Sequence, residues 1–290
     1  MNQVRGPQFI RFFKPIIQVL RETGGSGTTA EVVDRAIERM NISEKEQEVT
    51  NKNGESRVRN QVNWARFYLV RAGYLDSSKR GIWSLTEKGM SLDPQALDVF
   101  GTFKDVRKLA KGEQKPKDET DHFEDEVVEN EVGPQDHRVK LLSYVKLLPP
   151  GGFERLAQRL LRESGFEQVV VTGRSGDGGI DGSGVLQINP FVSFNVLFQC
   201  KRYQGAVTPS QVRDFRGAMM GRADKGIIIT TGTFTLDAKK EARRDGVPPI
   251  ELVDGESLIQ MFERLQLGLT PRMTYDVDEK FFEDFKNEHS

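Results

Sequence analysis

Three side chains in the C-terminal half have the types and spacing to do chemistry on a phosphate: Asp181, Gln199 and Lys201. Side chains alternate along a strand, so in Gln199-Cys200-Lys201 the amide and the ammonium share one face and Cys200 takes the other. If that strand pairs beside Asp181, one face presents a carboxylate, an amide oxygen and an ammonium together. Such a set can hold Mg2+, lower the pKa of a water bound to it and aim the resulting nucleophile at phosphorus. A surface Gln and Lys on a strand edge would leave the same pattern, and spacing alone weighs the two readings equally.

The glycine-rich run from Gly173 to Gly182 lies just upstream. It fits neither nucleotide-binding template: no Gly-Lys-Ser/Thr closes it, and in the best GxGxxG frame, from Gly176, the last position is Asp181. A tight hairpin that puts Asp177 and Asp181 at a strand start suits it better. Both are hard oxygen donors of the kind Mg2+ prefers; Asp177 reads equally well as a turn residue.

Other chemistries are excluded by what the chain lacks. Its three histidines, His122, His137 and His289, fall in polar or acidic stretches that read as linker and tail. Ser-His-Asp and Cys-His catalysis and histidine-ligated zinc need an imidazole on a folded scaffold. The single cysteine, Cys200, rules out an internal disulfide framework and a thiolate cluster, which fits a reducing compartment. No run approaches the ~20 apolar residues of a spanning helix, and no apolar signal segment opens the sequence. A cytoplasmic protein without a membrane partner is expected.

The scaffold has 290 residues, 37% of them hydrophobic, enough for two domains of ordinary size. From Asp118 to Asp136 there are nine acidic residues and no Lys or Arg, after a Lys-rich stretch from Lys104 to Lys117. This predicts a flexible linker over 104–138 between folded parts at 1–103 and 139–268, with an acidic tail at 269–290. The acidic strip reads as a solvated spacer; the alternative is a mimic of DNA charge. In the tail, Phe281, Phe282 and Phe285 could form one docking helical turn or belong to a loose end. Across the chain, 42 basic residues balance 43 acidic ones, yet residues 1–95 hold 15 basic against 11 acidic and 141–268 hold 16 against 14. Each folded part is mildly basic.

Apolar positions at helical spacing predict helices over 8–22, from Thr28 or Thr29 to Met40, and over 56–71; strand-like 73–75 and 81–85 then form a hairpin. Three helices and a hairpin make a mostly α winged helix. In that fold the third helix usually enters the major groove and the wing touches phosphate. Its outward residues here would be Arg57, Arg59, Asn60, Asn63 and Arg66, with Lys79 and Arg80 on the wing. A solvated helix face or a protein-binding winged helix is the alternative. Trp64 and Trp83 are expected in the core. From Phe153 onward the order reads αβββαβαβα, which predicts an α/β domain with a mixed sheet and helices on both faces.

On this framework, Asp181 followed by Gln199-x-Lys201 resembles the PD-(D/E)xK nuclease superfamily in its D…QxK form, and more closely the Mrr family of restriction endonucleases. The matching segments are Phe153-Glu154-Arg155-Leu156, Gly176–Gly182, Gln199–Tyr203, Val212–Ala218 and Ile229–Thr235 with Ala238. The N-terminal winged helix also resembles this family's DNA-binding partner domain.

The resemblance implies a restriction-endonuclease-like fold and a Mg2+-dependent DNA endonuclease, with Mn2+ as a substitute, acting on double-stranded, modified DNA. It makes Asp181 the central metal ligand, Gln199 the second strand-borne contact and Lys201 the group that orients water or stabilises charge on phosphorus. Glu154 would assist from the first helix, and Glu154 or Asp177 would compensate for the missing charge of Gln199. A Gln199→Glu exchange keeps an oxygen donor and adds charge, so some activity is expected to survive it. The rival readings are a structure-selective repair or recombination nuclease and a non-cleaving DNA-binding regulator. Two cuts on strands of opposite polarity call for twofold-related copies, so a homodimer or larger homo-oligomer is expected; a monomer nicking twice is the alternative.

Overall fold

The computed structural model describes residues 6–51, 54–76, 81–111, 137–172, 179–202 and 205–271. In the N-terminal domain a 3-10 turn, Gln8–Phe12, runs into α1 (Phe13–Glu22). Gly24 and Gly25, both at positive φ, turn the chain out of that helix. A short strand, β1 (Ser26–Thr28), precedes α2 (Thr29–Arg39), whose first turn is capped by the Thr28 hydroxyl accepting from the Glu31 amide. Next come α3 (Glu44–Glu48) and α4 (Arg57–Arg71), capped by Ser43 and Ser56. Strands β2 (Leu75–Asp76) and β3 (Ile82–Leu85) join β1 in an antiparallel sheet of order β1-β3-β2, and α5 (Glu87–Ser91) and α6 (Val99–Lys111) follow. Phe12, Phe13, Ile16, Ile17, Val62 and Leu69 fill the core, and Trp64 and Trp83 belong to it as expected. Sequence periodicity does not reveal β1 or α3: Ser-Gly-Thr has no apolar alternation, and α3 is a single polar turn.

The expected linker boundary moves. Helix α6 carries the chain through 104–111, with Phe103 and Val106 buried, so two apolar side chains three residues apart dock a segment whose composition is dominated by lysine. At the other end α7 (His137–Leu147) begins inside the stretch read as linker. Its first residues are held by charge rather than apolar burial: His137 and Arg138 both contact Glu263, and Arg138 also contacts Glu256. One histidine therefore does sit on folded structure. The acidic strip, His122, the tail phenylalanines and His289 lie outside the described residues.

In the C-terminal domain α8 (Pro150–Glu163) leads into an antiparallel meander of β4 (Phe166–Val171), β5 (Gly182–Asn189) and β6 (Val192–Lys201). After the short β7 (Ala206–Val207), α9 (Pro209–Met219) crosses over to β8 (Lys225–Thr230), which pairs parallel to β6. Then β9 (Thr233–Phe234), α10 (Leu236–Ala242), β10 (Ile250–Val253) and α11 (Gly255–Leu265) complete the unit. The main sheet has the order β10-β8-β6-β5-β4, antiparallel on one side of β6 and parallel on the other, which is the expected mixed sheet. A second, two-stranded parallel pair, β7-β9, is additional.

The alternation along β6 sorts the two faces. Val196 and Phe198 pack with Phe153, Leu160 and Leu161 of α8 and Leu258 and Phe262 of α11. Leu197 packs on the opposite face with Val212 and Phe215 of α9 and Ala238 of α10. The two domains meet where α10 begins. Leu236 packs against the N-terminal core, its amide donates to Gln47 Oε1 at 3.2 Å, and the Thr235 hydroxyl donates to Glu44 at 2.9 Å.

Candidate active site

Strand register brings the three expected residues together. Gly182 pairs with Phe198, so Asp181 falls opposite Gln199 at the point where β5 begins. The Asp181 amide donates to the Phe198 carbonyl at 3.0 Å, and the Cys200 amide donates to Asp181 Oδ2 at 2.6 Å. The carboxylate is thus held against the backbone of β6. Gly182 has to be glycine here, because a Cβ would run into the Phe198 ring and the Val170 carbonyl.

Gln199 is 8% exposed and its two amide ends are treated differently. Nε2 donates to the Gly179 carbonyl at 2.5 Å, while Oε1 is buried with no hydrogen-bond partner among the described residues. A buried acceptor left without a donor costs about 1–3 kcal/mol. Next to the Asp181 carboxylate, that oxygen is suited to a hard cation. Among the described residues no group of three His, Cys, Asp or Glu side chains could hold a metal. The oxygen donors on the facing residues here are the Asp181 carboxylate and the Gln199 amide oxygen, of the hard type that a divalent cation accepts.

Lys201 ends β6 half-buried. Burial lowers its pKa, while the nearby Asp181 and then Asp214 carboxylates act in the other direction. Its backbone is fixed by the fully buried Thr230, whose hydroxyl donates to the Lys201 carbonyl at 2.8 Å and accepts from the Gly232 amide at 3.0 Å. Cys200 takes the opposite face as expected; burial first, then Asp181 and Glu154, push its thiol up, so it stays protonated and inert. Glu154, half-buried on α8, lies close enough to Cys200 to act on the thiol together with Asp181. Asp177 falls outside the described residues.

Two residues of the site, Thr230 and Asp214, do not stand out in the sequence. The signal for Thr230 is its parallel register, Lys201 opposite Thr230. For Asp214 it is its place on the crossover helix α9, which packs over the same face of the sheet as Leu197.

The candidate DNA-binding residues on α4 do not form one open surface. Arg57 and Asn63 are exposed and Asn60 is half-buried. Arg59 is paired with Asp34 of α2, and Asp34 is also contacted by Lys239 of α10, so Arg59 stands at the junction of the two domains. Arg66 lies over the Trp83 ring at 5.4 Å, its Nε is buried without a partner, and burial lowers its pKa. It packs the hairpin onto the helix. Lys79 and Arg80 lie outside the described residues.

Comparison with known proteins matches two parts of the chain. A restriction endonuclease family, Mrr_cat, matches residues 145–262, and the Mrr N-terminal domain family matches residues 9–95. The type IV methyl-directed restriction enzyme EcoKMrr of Escherichia coli (strain K12) is 27% identical over 305 residues, covering 92% of this chain and 95% of that protein. Among solved structures, the MspJI restriction endonuclease in complex with a 27-mer oligonucleotide is 24% identical with a TM-score of 0.38, covering 63% of this chain and 48% of that one. The DNA modification-dependent restriction endonuclease AspBHI is 15% identical with a TM-score of 0.41, covering 67% and 56%. The chain spans about half the length of these two solved proteins. Among the described residues no helix is long and apolar enough to cross a membrane. The chain thus carries, in order along its length, a domain of the Mrr N-terminal family and a catalytic domain of the Mrr_cat restriction endonuclease family.

Proposed function

We propose that this chain is a type IV restriction enzyme of the cytoplasm that cuts methylated double-stranded DNA with the help of a divalent cation, Mg2+ or Mn2+. The observation that carries the reading is the Gln199 oxygen, buried and unpartnered beside the fixed Asp181 carboxylate, with Lys201 two residues further along the same strand. Asp181 and Gln199 would hold the cation, with Glu154 and Asp177 as supporting carboxylates. When bound, the cation supplies positive charge that favours ionisation of water and offsets the charge of the phosphate.

The chain's own groups supply the rest. Lys201, its backbone fixed by Thr230, orients the attacking water or stabilises negative charge gathering on the phosphorus oxygens. Asp181 Oδ2 stays on the Cys200 amide, so the carboxylate keeps its place as charge shifts. Arg57 and Asn63 of α4 are free to reach DNA, with Lys79 and Arg80 as further contacts from the wing. The preference for methylated DNA is taken from the Escherichia coli relative, whose name states that it is methyl-directed. Two active sites on twofold-related copies would cut strands of opposite polarity, so the acting species is a homodimer or a larger homo-oligomer.

The test is cleavage of matched methylated and unmethylated plasmids with and without Mg2+. Mg2+-dependent cutting of the methylated plasmid alone is expected. Equal cutting of both would point to a structure-selective nuclease, and binding without cutting to a DNA-binding regulator.

A further inference from the structure

Gln199 stands where a charged ligand would hold a cation more strongly, and the geometry around it gives a reason for the amide. The two ends of a glutamine side chain have nearly the same shape, so the neighbours decide which way it faces. Here the neighbour is an acceptor: the Gly179 carbonyl is 2.5 Å from Nε2. Turned over, the amide would set two oxygens against each other at that distance with no proton between them. The orientation is therefore dictated by the backbone, and it leaves Oε1 buried without a donor among the described residues, on the residue that faces Asp181 across β5 and β6.

We infer that Gln199 is a two-sided bridge, its NH2 anchored on the Gly179 carbonyl so that its oxygen is aimed at the cation, and that Gly179 is a positioning residue for metal binding. This rests on the metal-dependent reading above. Gly179 reaches its place only as glycine. Its φ is 82°, in the left-handed region, and a Cβ there would press into Gln199 Nε2. It also lies two residues before Asp181, whose amide and carboxylate are tied to β6. One turn thus sets both oxygen donors at once, the carboxylate through β6 and the amide through the Gly179 carbonyl.

For Gln199→Glu the bridge predicts weaker cation binding. Counting donors and charge alone, glutamate should bind the cation more tightly. A carboxylate, however, has no hydrogen for Gly179 and faces its carbonyl oxygen, so the anchor is removed and the side chain is pushed off its aim.

The experiment is Mn2+ titration of the full chain by calorimetry for wild type, Gln199→Glu, Gly179→Ala and Asp181→Ala, with DNA affinity in Ca2+ as a check on folding. The Mn2+ dependence of cleavage is measured alongside. Binding should require Asp181 and weaken about tenfold or more in Gln199→Glu. Gly179→Ala should weaken it similarly although it removes no ligand. In Gln199→Glu the Mn2+ concentration for half-maximal cleavage should rise as well. If Gly179→Ala does not fold, the near-isosteric Gln199→Glu decides alone. Asp181-dependent binding that is as tight or tighter in Gln199→Glu overturns the bridge and leaves the metal reading standing. Absence of Asp181-dependent binding in wild type removes the metal reading and the bridge with it.

Discussion

The end of β5 and β6 and the outer side of α4 both carry polar residues with a functional reading, but the fold treats them in opposite ways. At the sheet end, Asp181 accepts from a backbone amide, the Gln199 amide donates to a backbone carbonyl, and Lys201 is braced by Thr230 through its own carbonyl. On α4, Arg59 is drawn to Asp34, Arg66 lies over Trp83, and of the candidate residues there only Arg57 and Asn63 are exposed. The difference lies in what fixes a side chain. A strand's neighbours supply backbone groups at set spacing, so a site built there keeps its geometry before any ligand arrives. A helix surface offers no such groups, and its long cations go to whatever anion or ring lies nearest, including one shared with the other domain.

The contrast sharpens into expected effects of decreasing size. Lys201→Ala should lower cleavage at saturating DNA by on the order of 10^3-fold, read as a single-turnover rate, while binding in Ca2+ is unchanged. Phe198→Ala, at a fully buried position next to Gln199, should cost about 3–5 kcal/mol in denaturant unfolding and take the site down with the sheet. Arg57→Ala should weaken DNA binding and flatten its log–log salt dependence by about 0.9, the slope that one neutralised phosphate carries. Arg66→Ala should instead reduce stability by about 1–2 kcal/mol, because it strips the guanidinium from the Trp83 ring and removes a buried stem, and should leave the salt slope alone. A changed slope for Arg66 with none for Arg57 would invert the assignment on α4.

Asp34→Ala tests the shared anion. It releases Arg59 and Lys239 together, so DNA affinity should rise several-fold and the junction should become more accessible to protease, at a stability cost of about 1 kcal/mol. Unchanged affinity would mean that Arg59 faces no phosphate even when freed. The smallest effect concerns α7. Glu263 is held down to about 2, chiefly by its hydrogen bond from Arg138. A depressed carboxyl stabilises fully above its ordinary value near 4.5 and loses that contribution as pH falls toward 2. The effect should stay below about 1 kcal/mol because the pair is partly exposed. The protection of 137–147 against hydrogen exchange, taken relative to the intrinsic rate at each pH, should therefore fall between pH 4.5 and 2, and Glu263→Gln should show the lowered protection throughout.

What the sequence discloses follows the same division. Period-2 alternation places Gln199 and Lys201 on one face without further information, and the pairing of β5 with β6 then supplies Asp181. The αβββαβαβα order survives with only the short β7 and β9 added, because the longer apolar runs are the ones the core buries. The Gly179 anchor is not legible there, since it depends on where a backbone carbonyl ends up after the chain turns. Nor is the diversion of Arg59, which requires knowing that α4 packs on α2 with Asp34 facing it. The helical start at His137 and the extension of α6 to Lys111 stay hidden for a related reason. Composition counts charges, but it does not show that Glu256 and Glu263 lie opposite the first residues of α7, or that Phe103 and Val106 dock α6.

The most direct single measurement compares wild type with Asp181→Ala on one methylated duplex, reading binding in Ca2+ and strand cleavage over a Mg2+ titration in the same samples. Saturable, Mg2+-dependent cleavage by wild type is expected, with cleavage absent in Asp181→Ala at every Mg2+ concentration and DNA affinity equal in the two. Cleavage by Asp181→Ala at a rate near that of wild type would contradict the assignment of the chemistry to the end of β5 and β6.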